Sequence, residues 1–311
     1  MGSERGVRAV GLVLHPTKLV DRSVETLLAF GREQEIRVLA RDSDRERVPA
    51  GVEIVTEPEF VASVDGVVAL GGDGTMLGAL RLMVGRPAPV LGVNHGHLGF
   101  LVEVTPAELP SALKRLAEGD FTVEPHACLE VTGLSAKYGF NDLVLGRAAR
   151  SGSISVDLAV NGQRYGYYRG DAVIVATPTG STAYNYAAGG PVLSPSSRAL
   201  VITPVAPMSG IGRPVVLGAG DRVMLSVAAE SAPIVVDVDG VAGGELQPGD
   251  RLTAMLRPGA AQVVRFAASE HASRSRIKLS LLDLPVRRDQ LLELIPPELR
   301  RRAEAGTLPQ P

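Results

Sequence analysis

The sequence predicts an α/β domain with a parallel sheet, followed by a β-rich domain. Three observations carry this. Over about the first 125 residues, short apolar runs alternate with segments whose apolar residues recur at helical spacing. From 121 to about 268 the apolar runs stay short, and Gly, Pro, Asn and Asp separate them. Of 311 residues, 35 are Gly and 22 are Pro, a density of turn formers that argues for many short strands rather than a helical bundle. With 45% hydrophobic and 21% charged residues, the chain can bury a substantial core.

Taken in order, residues 7–14 read as a buried strand ending in His15-Pro16. Val24, Leu27 and Leu28 then recur at helical spacing, with Asp21 as the expected cap. Residues 36–40 and 64–70 are the next strands, and the latter runs straight into Gly71-Gly72-Asp73-Gly74-Thr75. A helix is expected over 76–83 and a strand over 89–93. Thr105-Pro106-Ala107-Glu108 offers a capping box with Pro at the first helical position, opening a helix to about residue 117. Strands alternating with helices require a parallel sheet covered on its faces.

In the second half, residues 154–160 alternate, and Asn161-Gly162 supplies the pair a type I′ hairpin turn needs. Strands are expected over 173–176, 222–228, 234–238, 252–256 and 263–266. Residues 286–305 are amphipathic and read as a helix that packs back on the first domain or on a neighbouring subunit. The division is therefore 1–125 for the α/β domain, 126–270 for the β-rich domain and 271–311 for a returning tail.

Composition narrows the function. A formal net charge of −2 lacks the basic excess of a nucleic-acid binder. The single cysteine, Cys128, permits neither an internal disulfide nor a Cys-based zinc site and fits a reducing compartment. No stretch approaches the length of about eighteen apolar residues that a spanning helix requires. The chain is expected to be soluble and cytoplasmic, with neither nucleic acid nor membrane as a partner.

Chemistry concentrates in two segments. Gly71-Gly72-Asp73-Gly74-Thr75 follows a buried strand, and a glycine-rich turn before a helix exposes amides to which phosphate can approach. It is neither of the common phosphate loops: Leu77 stands where the dinucleotide fingerprint needs its third Gly, and the chain has no Gly-Lys pair. Asp73 at its centre would repel phosphate unless it holds Mg²⁺ or accepts a proton from an attacking hydroxyl. A plain strand-to-helix turn is the alternative. The second segment runs from Thr177 to Asn185 and carries four small hydroxyls, Tyr184 and Asn185, enough to line a nucleoside pocket. A Ser/Thr-rich cap region around a buried Tyr is the alternative there. His95 and His97 stand two apart without carboxylate or Cys neighbours and read as loop histidines. Asp237 and Asp239 read as a solvated strand end.

Together, Gly71 to Thr75, the pair Asn141-Asp142 and the run Thr177-Pro-Thr-Gly-Ser-Thr-Ala-Tyr184 resemble the NAD kinase family. Asn94 with Gly96 to Leu101, Arg169-Gly170-Asp171, Gly189-Gly190-Pro191, Thr203-Pro204 and Arg213-Pro214 match as well, so the resemblance covers roughly residues 7–280. The glycine loop is shared with diacylglycerol and sphingosine kinases, whereas the run at 177–184 is far more specific. The resemblance implies the two-domain fold of that family, with the tail returning to the first domain. It implies transfer of the γ-phosphoryl of ATP to the 2′-hydroxyl of the adenosine ribose of NAD, with Mg²⁺ or another divalent cation accompanying the nucleotide and no residue assigned as a protein metal ligand. Asp73 is then the general base, and Gly71, Gly72, Gly74 and Thr75 serve the phosphates. Asn141 and Asp142 hold the adenosine. Asp171, Thr182, Ala183 and Tyr184 line the rest of the dinucleotide site, with Asn94, Arg169, Asn185 and Ala187 as further contacts. Sites of this family lie between domains and between subunits, which implies a homodimer or homotetramer.

Three positions depart from the family pattern: Asp142 where Glu is usual, Met208 in a stretch that usually holds His, and Val241 where Gln is common. Two other functions share parts of the pattern. A lipid or other small-molecule kinase of the same superfamily would carry the glycine loop but has no need of residues 177–184. A non-catalytic NAD-binding paralogue would be expected to lose Asp73, which this chain keeps.

Overall fold

The computed structural model describes residues 7–96, 99–148 and 152–266. His97, the expected helix over 286–305 and the tail at 271–311 lie outside them. Among the described residues no helix is long and apolar enough to cross a membrane.

The first half is an α/β unit. β1 (Ala9–Leu14), α1 (Asp21–Glu33), β2 (Arg37–Arg41), β3 (Glu53–Val55), α2 (Glu57–Ser63), β4 (Gly66–Gly71), α3 (Asp73–Leu82), β5 (Pro89–Asn94) and α4 (Leu109–Glu118) follow in order. The strands pair in parallel in the order β3-β2-β1-β4-β5. Because side chains alternate across a strand, Val68 and Leu70 of β4 pack on α1 and α4, while Val67 and Ala69 pack on α2 and α3. The strand order reverses between β1 and β4. In such sheets that reversal leaves a crevice at the carboxyl ends of the strands, and Gly71 to Thr75 stands at its edge.

The second half is a sandwich. β6 (Thr122–Thr132), β7 (Tyr138–Gly139), β8 (Asp142–Arg147), β9 (Ile154–Val160), β10 (Gln163–Gly170) and β11 (Ala172–Ala176) lead to the short α5 (Tyr184–Ala187). β12 (Ala199–Val205), β13 (Ser209–Gly210), β14 (Val215–Gly218), β15 (Val223–Val227), β16 (Ile234–Val238), β17 (Val241–Leu246) and β18 (Arg251–Arg265) complete it. One layer is a six-stranded sheet, β14-β12-β11-β8-β16-β17. The other consists of β13, β10, β9, β15, β18, β6 and β7, and β18 continues it into the α/β sheet, making twelve strands in all. Leu158, Leu225 and Leu256 of one layer meet Leu145, Val175 and Ile202 of the other in a single core cluster.

Several sequence expectations change. Residues 252–256 and 263–266 are not two strands but the two halves of β18, whose register with β6 shifts between Arg257 and Ala261. Pro258 cannot donate to the ladder and Gly259 has φ +61°, so the strand bulges and swings from the sandwich to β5. Asp21 is not a cap: Val20 holds that position, and Asp21 is the first residue of α1. Thr105 and Glu108 do bond one another, but they close a turn ahead of α4, which starts at Leu109. β3 and α2 were not anticipated, although Thr56 and Glu59 form a capping box that marks the start of α2. The type I′ turn is as expected, with φ +52° at Asn161 and +81° at Gly162.

Phe60 of α2 is fully buried and reaches the bare backbone of Gly11 in β1, where a Cβ would collide with its ring. Phe60→Ala is expected to lower unfolding free energy by ~3–5 kcal/mol, the usual cost of emptying a site that cannot collapse. Denaturant titration checks this, and a loss below about 1 kcal/mol would contradict the packing described.

Candidate active site

The strand β4 ends at Gly71, Gly72 holds the N-cap position of α3, and Asp73, Gly74 and Thr75 form its first turn. A Cβ added at Gly72 or Gly74 would meet nothing within 4 Å, so the crest of the loop is open to an incoming group. Amides there and the positive end of α3 favour an anion. The Thr75 hydroxyl is buried without a hydrogen-bond partner. Beside the loop, Asn94 ends β5 opposite Gly71 and accepts the Gly96 amide at 3.0 Å. Lys18 donates to the His95 carbonyl at 3.0 Å. Burial, then the charges of Lys18 and His15, press the His95 imidazole below its usual range, and its Nε2 lies 3.1 Å from the Ser23 hydroxyl. Among the described residues no group of three or more His, Cys, Asp or Glu is placed to hold a metal ion.

Asp73 is held from one side. Its Oδ2 accepts the Phe100 amide at 2.6 Å and its Oδ1 the Leu101 amide at 2.9 Å, while Gly99 packs so close that a Cβ would strike the carboxylate. The carbonyls of those same residues receive Arg265: its Nη1 is 3.0 Å from Leu101 O and its Nη2 is 3.5 Å from Phe100 O. Arg265 is buried and also pairs with Glu103 at 3.2 Å and Glu124 at 2.5 Å. Burial alone would raise Glu124. The His126 hydrogen bond and the Arg265 charge overcome it and hold the carboxylate well below its usual range. His126 in turn lies 3.3 Å from the Thr179 hydroxyl.

The second carboxylate comes from the β-rich domain. Asp142 opens β8, is buried, and receives the backbone amide of Tyr184. Desolvation, reinforced by the nearby charge of Asp239, pushes its pKa up to about 6. Gly180 rests directly on Asn141, leaving no room for a side chain. Asn141 accepts the Thr177 amide at 2.9 Å. Beside the second loop lies a mostly apolar cavity of about 190 Å³, lined by Phe100, Leu101, His126, Thr179, Thr182 and Leu193 among others. Asp73 is anchored by the amides of two residues that line this cavity, and Asp142 by the amide of a residue two positions from Thr182. Neither carboxylate lines the cavity itself.

The remaining candidates divide. Thr177 and Ser181 are buried and stitch their own loop, through Phe140 O at 2.5 Å and Pro178 O at 2.6 Å, rather than lining the cavity. Asn185 is likewise spent inside the fold: its amide donates to Ser181 and Pro191 carbonyls and accepts the Thr203 hydroxyl. Ala183 precedes α5, Ala187 ends it, and Tyr184 presents an exposed ring. Arg169 and Asp171 lie elsewhere. Asp171 stands at the far end of β11 from Ala176, the partner of Asp142, about 16 Å along the strand. It pairs with Arg147 at 3.3 Å, and Arg169 bonds the Ser153 hydroxyl at 3.2 Å. Asp239 corrects the expectation of a solvated strand end: its side chain has 0% exposure and bonds Arg81 at 2.6 Å. The signal was local and weak, an Asp-Gly pair after an alternating strand.

Known proteins match both halves of the chain. The family model for the ATP-NAD kinase N-terminal domain matches residues 11–121, and that for the C-terminal domain matches 140–266. The NAD kinase of Gemmatimonas aurantiaca is 36% identical over 279 residues, covering 87% of this chain and 92% of that one. NAD kinase 1 of Streptomyces avermitilis is 36% identical over 284 residues, covering 79% and 77%. Among solved structures, yeast NADH kinase complexed with NADH superposes with a TM-score of 0.80 at 22% identity, covering 92% of this chain and 91% of that chain. An NAD kinase from Archaeoglobus fulgidus in complex with ATP gives 0.67 at 24% identity, covering 88% and 98%.

A buried carboxyl with a raised pKa affects stability with a definite sign. Between the ordinary value of 3.8 and about 6 the native state holds a proton that the unfolded chain has lost. Stability therefore falls as pH rises through that window. Asp142→Asn is expected to flatten this fall and to stabilise the unliganded protein by ~1–3 kcal/mol above about pH 7. Unfolding curves on both sides of the window check it, and an Asn variant less stable than the parent at the higher pH would contradict the assignment.

Proposed function

This chain belongs to the NAD kinase family and phosphorylates NAD, and we propose that its residues transfer the γ-phosphoryl of ATP to the 2′-hydroxyl of the adenosine ribose with Asp73 as general base. The observation that carries this assignment is Asp73, set in the first turn of α3 between the open positions of Gly72 and Gly74 and held by the amides of Phe100 and Leu101, which line an apolar cavity together with Thr179 and Thr182. The cavity takes the flat adenine ring. Asn141 and Asp142 hold the ribose beside it, and Thr182, Ala183 and Tyr184 close the wall. The open amides of Gly72 and Gly74, with the positive end of α3, receive the phosphates.

A ribose hydroxyl is too weak an acid to attack phosphorus unaided. Each oxygen of Asp73 accepts one amide, and a carboxylate offers about four lone-pair sites, so Asp73 is positioned yet still able to accept a proton. As the ribose oxygen bonds to the γ-phosphorus, its proton passes to Asp73, the bond to the β-phosphate oxygen breaks, and ADP leaves. Mg²⁺ or another divalent cation suits this donor set, because such an ion is bound mainly by nucleotide phosphates and water with one or two carboxylates at most. When bound, it supplies charge neutralisation on the phosphates.

A cytoplasmic homodimer or homotetramer completes the proposal. Tyr165, Tyr167 and Met208, the last 72% exposed, lie on or beside the β13–β10 edge, an apolar strand margin of the kind that pairs with another copy. Arg169 and Asp171, on and just after β10 and remote from Asp142, fit a dinucleotide held across such an interface. A lipid kinase of the same superfamily is not favoured, because the loop at 177–184 anchors Asp142 and lines the cavity.

Purified protein supplied with ATP, Mg²⁺ and NAD is expected to form NADP. Asp73→Asn, which retains size and turn geometry, should lower kcat by ~10²–10⁴-fold with a smaller effect on NAD binding. Near-parental NADP formation by folded Asp73→Asn would sink the mechanism. Asp142→Ala should raise KM for NAD by about tenfold or more, the worth of a charge-assisted hydrogen bond. Unchanged NAD binding in that variant would remove Asp142 from the ribose site.

A further inference from the structure

We propose that Asp239 is a positioning residue for phosphoryl transfer: with Arg81 it latches the Asn141–Asp142 pair to the far end of the helix that carries Asp73. This rests on the reaction assigned above and adds a residue that the assignment does not use.

The contacts converge on one carboxylate. Asp239 Oδ1 accepts the amides of Asn141 at 2.6 Å and Asp142 at 3.2 Å, and Oδ2 accepts the Phe140 amide at 3.0 Å and Arg81 Nη1 at 2.6 Å. The Asp239 amide returns a bond to the Asp142 carbonyl at 2.9 Å. Three consecutive amides are thus gathered by a side chain from the β16–β17 hairpin. The hairpin does not need this side chain. With φ +51° at Asp239 and +73° at Gly240, the turn accepts Asn or Gly equally well, and neither would bind a guanidinium as a charge.

Arg81 lies in the last turn of α3 and Asp73 in its first. Eight residues at 1.5 Å each put them about 12 Å apart along a stiff rod. One end of the rod is gripped through Asp73 by the Phe100 and Leu101 amides, the other through Arg81 by Asp239. The distance between the general base and the ribose-holding pair is therefore set by one helix and one part-buried ion pair. Such a pair contributes little net stability after desolvation, but its directional contacts define position. Reacting groups displaced by about 1 Å can lose ~10² in rate.

Two variants separate positioning from simple stabilisation. Arg81→Met leaves Asp239 and its three amides in place and cuts only the link to α3. Arg81 borders a cavity of about 220 Å³ beside Lys137 and Tyr138, so a shorter side chain is accommodated there. Asp239→Asn retains one acceptor, enough for the Asn141 and Asp142 amides, and removes the charge together with the oxygen that the Phe140 amide and Arg81 share. Both are expected to raise KM for NAD and lower kcat, together reducing kcat/KM by ~10–10²-fold, with KM for ATP within twofold. Arg81→Lys should recover part of the loss. The double variant should be no worse than Asp239→Asn alone, since that change already breaks the contact that Arg81→Met removes. The proposal is overturned if folded Arg81→Met has parental kcat and KM for NAD and only a lowered Tm, or if the two losses simply add. Should the parent protein form no NADP, the assigned reaction fails instead. NAD affinity by calorimetry then tests the latch alone, with a loss of about tenfold expected in Arg81→Met and parental affinity overturning it.

Discussion

The guanidinium of Arg265 is a cation buried where the β-rich layer runs into the α/β sheet, and much of the active site follows from the need to satisfy it. A buried charge without partners costs several kcal/mol. Glu103, Glu124 and the carbonyls of Phe100 and Leu101 converge on it. With their carbonyls directed at Arg265, residues 100 and 101 turn their amides to Asp73. Glu124 passes the arrangement on to His126, and His126 to Thr179 of the opposite loop. The same ion thus reaches both walls of the cavity and holds Asp73 from behind.

Two buried acids make the other side of the site costly. Asp142 lies close enough to Asp239 that the second charge helps push its pKa up to about 6. Asp239 is compensated by Arg81 and three amides, whereas Asp142 is anchored by the Tyr184 amide. This asymmetry matches the tasks proposed for them. A group that sets position is best saturated by its own protein, and a group that binds substrate must retain capacity for it. The strain of an under-compensated carboxylate is the usual form in which binding sites sacrifice stability.

Much of the fold was legible because its signals are local. Buried parallel strands read as continuous apolar runs, as in β1 and β4, and Asn161-Gly162 announces its hairpin through the only backbone it can readily adopt. The misreadings also have local causes. Pro258 made one long strand look like two, and the Thr105–Glu108 pattern, read as a capping box, closes a turn ahead of α4 instead of its first turn. At the site, the glycine loop and the run at 177–184 were visible as motifs. That Thr177, Ser181 and Asn185 are consumed in building their own loop was not, since a hydroxyl or amide in sequence looks the same whether it faces ligand or backbone.

Periodicity, turn chemistry and motif composition act over a few residues, and by themselves they determined the two-domain architecture and the glycine loop with Asp73 as a candidate site, while Asp142 entered through the resemblance to the NAD kinase family. Tertiary structure alone decided which groups hold those acids. Asn141 meets Asp239 across 98 positions, Asp73 meets Leu101 across 28, and Arg265 meets Leu101 across 164. No pattern within a strand or helix encodes such meetings. They arise because packed layers exclude water, and every buried charge left inside must find its partner wherever the fold has brought one.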